Sequence, residues 1–178
     1  MANTYVNAKQ DLTSTDVTVL YNLGFVMGIV NSKEKSLPPA AVIAMALEEV
    51  GTGDMPVETV MMTIVKEAET ADVVQIGNTV FIGHFGKGAN KDRVVGRPLN
   101  ADVGRNYVRN ILKYAGYLQK RGVTNYTTQI EGDVMLPAMR ALKKVFDKTD
   151  SIFQLEPAED DHHVLFIELG KEPLDKGL

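Results

Sequence analysis

Two short stretches of this chain carry residue types that hold metals or phosphates. Asp160-Asp161-His162-His163 sets two carboxylates beside two imidazoles, the donor types that bind divalent ions. Adjacent residues of a strand point to opposite faces, so these neighbours cannot converge on one ion, and a polar hairpin tip is the plainer reading. No metal site is expected. Gly86-Lys87-Gly88-Ala89-Asn90-Lys91 has the glycine and lysine content of a phosphate-cradling loop. It lacks the closing Gly-Lys-Ser/Thr and a helix directly behind it, so it reads as a basic surface loop. A third set, Arg93, Arg97, Arg105, Arg109, Lys113, Lys120 and Arg121, has the charge to meet nucleic acid. These residues spread around a helix instead of forming a stripe, and the formal net charge of −4 argues against general phosphate binding. The chain has no cysteine, which removes disulfides, thiol catalysis and thiolate metal sites.

The elements that position such residues follow from periodicity and punctuation. At 178 residues, 44% hydrophobic and 24% charged, the chain is read as one globular domain, 1–178, with a helical part over 12–71 and a sheet-rich part over 72–170. Apolar runs stop short of a membrane span. Met1 to Asp11 lacks a basic region followed by an apolar run, so a cytoplasmic protein is the expectation. Tyr5 to Lys9 reads as extended, and Thr13, Ser14 and Thr15 as caps for a helix whose apolar positions run from Val17 to Gly28. Pro38-Pro39 opens a helix over Ala40–Val50, ended by Gly51 and Gly53, and Pro56 opens another over Val57–Ala71. Asp72–Ile76 and Thr79–Phe85 are β-branched and aromatic runs around Gly77-Asn78, a hairpin signature. A short strand over Arg93–Gly96 follows, its end made awkward by Pro98.

Asp102–Arg121 is the clearest helix, with Val103, Tyr107, Ile111, Tyr114 and Leu118 on one face and Gly122 as its stop. A strand (Val123–Ile130), a helix (Val134–Phe146) and two strands (Ile152–Leu155 and Val164–Leu169, joined by Glu156–His163) complete the chain. Helices returning between strands imply a mixed α/β sheet of about six to seven strands flanked by helices.

This order, read with Val6-Asn7-Ala8-Lys9…Ser14-Thr15-Asp16-Val17…Leu20, the hairpin Val73–Gly83, the stretch Tyr107–Ile130 and the helix Leu136–Phe146, resembles the GCN5-related N-acetyltransferase (GNAT) superfamily. Within it, the second half is most similar to acetyltransferase-like internal virion proteins of tailed bacteriophages. The resemblance implies a GNAT-like fold with an extended N-terminal helical segment. It also implies a loop before the long helix whose backbone N–H groups take the pyrophosphate of acetyl-CoA. Helix N-termini suit anions, and close approach needs glycine. That loop maps onto Val95 and Arg97 and onto Asp102, Val103, Gly104 and Arg105. Here Asn100 stands where the first glycine is expected, Asp102 where the last small residue is expected, and Pro98 has no N–H to donate. The plainer reading is that Asn100 or Asp102 caps the helix.

The family's tyrosine, a proton donor to the departing thiolate, maps onto Leu142 when its alanine is laid on Ala138; its asparagine maps onto Met135. Leucine cannot deliver a proton. Tyr126 is the substitute acid, and His84 and Glu131 are the candidate bases for deprotonating an amine, each with an ordinary packing or solvated role as the alternative. Active chemistry would show an open cleft between the strands near Arg93–Gly96 and Val123–Ile130.

The expectation is a catalytically degenerate acetyltransferase-fold pseudoenzyme acting by binding or assembly, a bacteriophage virion protein found in the host cytoplasm or the particle. Protein partners or a homo-oligomer are expected, with no membrane, no nucleic acid and no cofactor. An active N-acetyltransferase using acetyl-CoA is the alternative. Met27, Met45, Met55, Met61 and Met62 in the helical part suit either a core or a partner-binding face.

Overall fold

Short polar side chains and prolines set the helix boundaries of the N-terminal half. The structure is a computed structural model that describes residues 5–14, 16–30, 36–131, 135–160 and 162–178. Strand β1 (Tyr5–Asn7) stops at Asn7, whose Oδ1 accepts the Lys9 N–H at 3.1 Å. Lys9 therefore leaves the extended run and starts a short helix, α1 (Lys9–Thr13). Helix α2 (Val17–Val30) is capped by Asp16, whose Oδ1 accepts the N–H groups of Thr18 at 2.9 Å and Val19 at 3.4 Å. The cap expected among residues 13–15 is thus displaced. Thr13 ends α1, with its hydroxyl on the Lys9 carbonyl, and Thr15 lies outside the described residues. Pro38 and Pro56 stand immediately before α3 (Pro39–Val50) and α4 (Val57–Glu69), where a missing N–H is harmless. Gly51 ends α3 at φ 81°.

The chain divides into two compact units, Met1–Ile82 with Pro98–Asp102, and Gly83–Arg97 with Val103–Leu178. In the first, β1 pairs antiparallel with β2 (Asp72–Ile76). The next strand, β3 (Thr79–Phe85), follows the Gly77-Asn78 turn, Gly77 having φ 55°. The core here joins Leu12 and Leu20 to Ala41, Val42, Ile43, Met61, Ile64 and the strand residues Val73, Val80, Ile82 and Leu99. Helix α2 lies close on α3 because Gly24 and Gly28 lack side chains. A Cβ on Gly24 would sit 2.5 Å from the Ala40 carbonyl oxygen, and one on Gly28 would sit 2.7 Å from Met45 Sδ.

In the second unit, the Arg93–Arg97 part of β4 (Arg93–Asn100) runs parallel to β5 (Asn125–Glu131), from Arg93 opposite Asn125 to Gly96 opposite Thr128. Parallel neighbours need a long crossover, and helix α5 (Gly104–Lys120) supplies it. After helix α6 (Leu136–Phe146), β6 (Ile152–Pro157) pairs with β7 (His162–Glu168), and β7 inserts antiparallel beside β5. The strand order is β1-β2-β3-β4-β5-β7-β6 in a seven-stranded sheet. This is a mixed α/β architecture with helices against the sheet, and its elements follow the order the GNAT resemblance implies.

Three expectations are corrected. Strand β4 continues through Pro98 to Asn100. Its ladder with β5 ends at Gly96, so proline removes no bond from that ladder. Val103 precedes α5 and is 71% exposed, so the buried face of this helix begins at Tyr107. The connection between the last strands is shorter than Glu156–His163, because both histidines already belong to β7; Asp160 turns the chain at φ 56°. Among the described residues no helix is long and apolar enough to cross a membrane.

Candidate functional site

Strand alternation sorts the β4 and β5 candidates. Val94 faces the core and Val95 is 60% exposed. Gly96 leaves room for the Tyr126 ring: a Cβ there would lie 2.6 Å from both Tyr126 Cε2 and its hydroxyl oxygen. Tyr126 is buried and meets Tyr114 of α5 edge-on at 5.9 Å, and Tyr114 stacks on Tyr117 at 5.8 Å. Gly83 makes the matching space on β3, where a Cβ would sit 2.8 Å from the Tyr114 hydroxyl. Burial drives the Tyr126 hydroxyl well above the ordinary tyrosine range, with a smaller opposing influence from a hydrogen bond to Thr128. Burial likewise raises Tyr107. Over Arg93–Gly96 the two strands are hydrogen-bonded partners, and their pairing goes no further than Gly96 opposite Thr128.

The start of α5 is different. Its N-cap, Val103, offers no side-chain hydrogen bond, and Val103, Gly104, Arg105 and Asn106 are all exposed. The N-terminus of a seventeen-residue helix thus presents backbone N–H groups and positive potential to solvent. Arg97, on β4, is half-buried and already has a partner.

Neither Asn100 nor Asp102 caps this helix. Asn100 Oδ1 accepts the Thr79 hydroxyl at 2.7 Å and the Asp102 N–H at 3.1 Å, while its Nδ2 donates to the Asp102 carbonyl at 2.8 Å. Asp102 Oδ2 accepts the Asn78 N–H at 2.8 Å, and the Asn78 carbonyl accepts the Ala101 N–H at 2.8 Å. Asn78 Oδ1 then takes the Leu37 N–H at 2.9 Å, and Gln75 Nε2 donates to the Leu37 carbonyl at 2.7 Å. These residues tie the β2–β3 turn to the approach to α3 and to the end of β4. Sequence reading missed this because its partners lie 24 and 41 residues apart.

The remaining acid–base candidates are dispersed. His84 on β3 is half-buried and partnered. Glu131 is the last residue of β5, opposite His162 of β7. It stands five residues beyond Tyr126, about 17 Å along a strand. Gln129 Nε2 and His162 Nδ1 are 2.6 Å apart. Buried His163 Nδ1 has no hydrogen-bond partner among the described residues. No cluster of metal-ligating side chains occurs among the described residues; Asp161 lies outside them.

Leu142, the position given to the proton-donating tyrosine, is 0% exposed and belongs to the core with Met139 and Phe146. Phe146 packs on Phe153 of β6 at 5.2 Å.

No family model matches the chain. No curated protein matches it. Among solved structures, it is similar to the crystal structure of a protein assigned as a phosphinothricin N-acetyltransferase. The identity is 16% and the TM-score 0.47, over 94% of this chain and 98% of that one. A likeness this distant transfers neither an activity nor a site residue.

Proposed function

We propose that this chain is a catalytically degenerate protein of acetyltransferase-like fold that works by binding or assembly. The carrying observation is Leu142, wholly buried where the GNAT resemblance calls for a proton-donating tyrosine. A side chain without an ionisable proton, sealed in a core, cannot protonate a leaving thiolate. Tyr126 supports the same reading, since its ring is packed between Gly96 and Tyr114. Placement in a bacteriophage particle draws on the resemblance of the second half to internal virion proteins.

Calorimetric titration with acetyl-CoA and CoA tests this. Absence of binding at millimolar cofactor is the expected result. Micromolar binding that weakens on Arg105→Glu would sink the proposal.

One observation favours an active acetyl-CoA-dependent N-acetyltransferase instead, namely the exposed start of α5 without a side-chain cap. Asp102 is also less of an obstacle there than its charge suggests, because its carboxylate accepts the Asn78 N–H. In that case Gly104, Arg105 and Asn106 would hold the pyrophosphate through their N–H groups. Amine-dependent release of free CoA thiol from acetyl-CoA would establish it.

A further inference from the structure

Beyond β7, Gly170–Leu178 adds to no strand and no helix. Six backbone groups between Gly170 and Leu174 are nevertheless bonded, and every partner is a side chain. The Gly170 N–H donates to Ser151 Oγ at 2.8 Å, and its carbonyl accepts from Gln119 Nε2 at 2.9 Å. The N–H groups of Lys171 and Glu172 donate to the two oxygens of Asp150 at 2.8 and 3.0 Å. The Glu172 carbonyl takes a second bond from Gln119 Nε2 at 2.8 Å, and the Leu174 N–H donates to Gln119 Oε1 at 3.0 Å. Three side chains, one from α5 and two from the turn between α6 and β6, thus read the main chain of this segment. Proteins hold a bound extended peptide in the same way, with main-chain bonds for grip and side-chain contacts for selection. The selecting contacts here are few. Leu174 is 5% exposed and is the one buried residue from Lys171 to Leu178. Asp175 pairs with Lys120 at 3.3 Å, and Glu172 Oε2 accepts the Asp150 N–H at 3.1 Å. A Cβ on Gly116 of α5 would lie 2.7 Å from Asp175 Cβ, and one on Gly170 would lie 2.7 Å from Asp150 Oδ2, so two glycines permit the close approach.

We propose that Gln119, Asp150 and Ser151, with Gly116 and Lys120 beside them, form a peptide-binding site that the chain fills with its own Gly170–Leu178. When this strap lifts, an extended segment of a partner protein with the pattern Gly-x-Glu-Pro-Leu-Asp takes its place. The inference goes beyond the reading above, because the site lies at the C-terminal end of α5 and stands whether or not acetyl-CoA binds at the other end. The seated segment names the occupant. Glycine comes first because a side chain there would meet Asp150. Glutamate meets the Asp150 N–H, leucine fills the apolar contact, and aspartate meets Lys120. Proline fits between them, since it has no N–H and no side chain of the site needs to accept one at that position. The exposed Lys171 side chain leaves its own position open. The strap is suited to displacement: it joins no ladder, and a single buried leucine anchors it. Segments with so few buried apolar contacts open at a lower free energy than the core. Tethering holds the strap at an effective concentration on the order of millimolar, so a free segment competes well only when the chain's own anchor is weakened.

Calorimetric titration of the full chain with a synthetic peptide of the Gly170–Leu178 sequence tests this. Leu174→Asp removes the chain's own anchor without touching the site, and this variant is expected to bind the peptide with a Kd of about 100 μM or tighter. The wild-type chain, its site filled, is expected to bind at least about tenfold more weakly. Adding Gln119→Ala to Leu174→Asp is expected to abolish binding, as is the same leucine-to-aspartate change made in the peptide. No binding by the Leu174→Asp chain at about 1 mM peptide, equal binding by the wild type, or binding that survives Gln119→Ala would overturn the proposal. Should Leu174→Asp lose its far-ultraviolet helical signal, hydrogen exchange of the wild-type chain takes its place. The amides of Lys171, Glu172 and Leu174 are expected to exchange together, at least about a hundredfold faster than that of Leu112 inside α5. Exchange of those three only as fast as Leu112 would overturn the proposal.

Discussion

Helices α2 and α5 invert the usual link between composition and burial. The fourteen residues of α2 include no charged side chain, yet Val19, Leu23, Val26 and Met27 are exposed. Among the seventeen residues of α5 are Arg105, Arg109, Lys113 and Lys120, yet nine residues from Tyr107 to Leu118 are buried. The contrast lies in what each helix crosses. Helix α5 is the crossover between the parallel strands β4 and β5, and its Tyr114 enters the space left by Gly83. Helix α2 is seated on α3 through two glycines, which allow close approach but present little area of their own. Hydrophobicity makes burial favourable; topology decides whether a surface is there to provide it.

Substitutions on the two helices separate burial from composition. The largest effect is expected for Tyr114→Ala in α5, which removes a buried ring from between Tyr117 and Tyr126. It should lower unfolding free energy by about 3–5 kcal/mol in denaturant titrations.

Next comes Gly24→Ala in α2. Its Cβ would meet backbone, the Ala40 carbonyl, at 2.5 Å, so a loss of about 1–3 kcal/mol is expected. Gly116→Ala in α5 meets the carboxylate of Asp175 instead. The carboxylate can rotate away, whereas Asp175 Cβ, 2.7 Å from the added methyl, moves only with its backbone; that backbone lies in the segment beyond the last strand, so the smaller loss belongs to Gly116. A reversed ranking, measured the same way, would mean that α2 is not held against α3 as described.

Leu23→Ser should change stability by less than about 0.5 kcal/mol, as surface substitutions do. A loss several times larger in dilute protein would show that residues of the chain itself cover this side of α2.

An effect of comparable size, read along the pH axis, concerns Tyr21, on α2 between the buried and exposed sides. Its hydroxyl donates to Glu48 Oε1 at 2.7 Å. That bond, helped by burial and the negative charges of Glu48 and Glu58, lifts its pKa from 10.0 to about 12. The folded chain therefore keeps a proton that the unfolded chain gives up between those values. Its contribution is complete below pH 10 and is lost as pH rises toward about 12. Tyr21→Phe should flatten that segment of the stability–pH curve and change neutral-pH stability by no more than about 1 kcal/mol. An unchanged alkaline slope would show that the Glu48 contact is not made in solution.

Local chemistry was the legible part of this protein. Pro38, Pro56, the Gly77-Asn78 turn and Gly122 mark boundaries through their own backbone constraints, and β2, β3 and α3 stand within a residue of where those marks put them. Period-two and helical patterns on either side then imply the mixed sheet. Boundaries set by competing side chains were less legible. Asn7 turning the chain into α1 and Asp16 displacing the expected cap each depend on which of several adequate residues the backbone engages. The candidate site was legible only as a set of positions. Whether Asn100 and Asp102 would cap a helix, repel an anion or staple a turn depended on Asn78 and Thr79, more than twenty residues upstream.

Residue type and spacing alone specify the order of helices and strands and leave position 142 without an ionisable proton. That Tyr126 is sealed, that the start of α5 is bare and that a helix without charges faces solvent came from packing in three dimensions. Those outcomes depend on which distant elements come to rest against a side chain, and spacing along the chain carries no record of that.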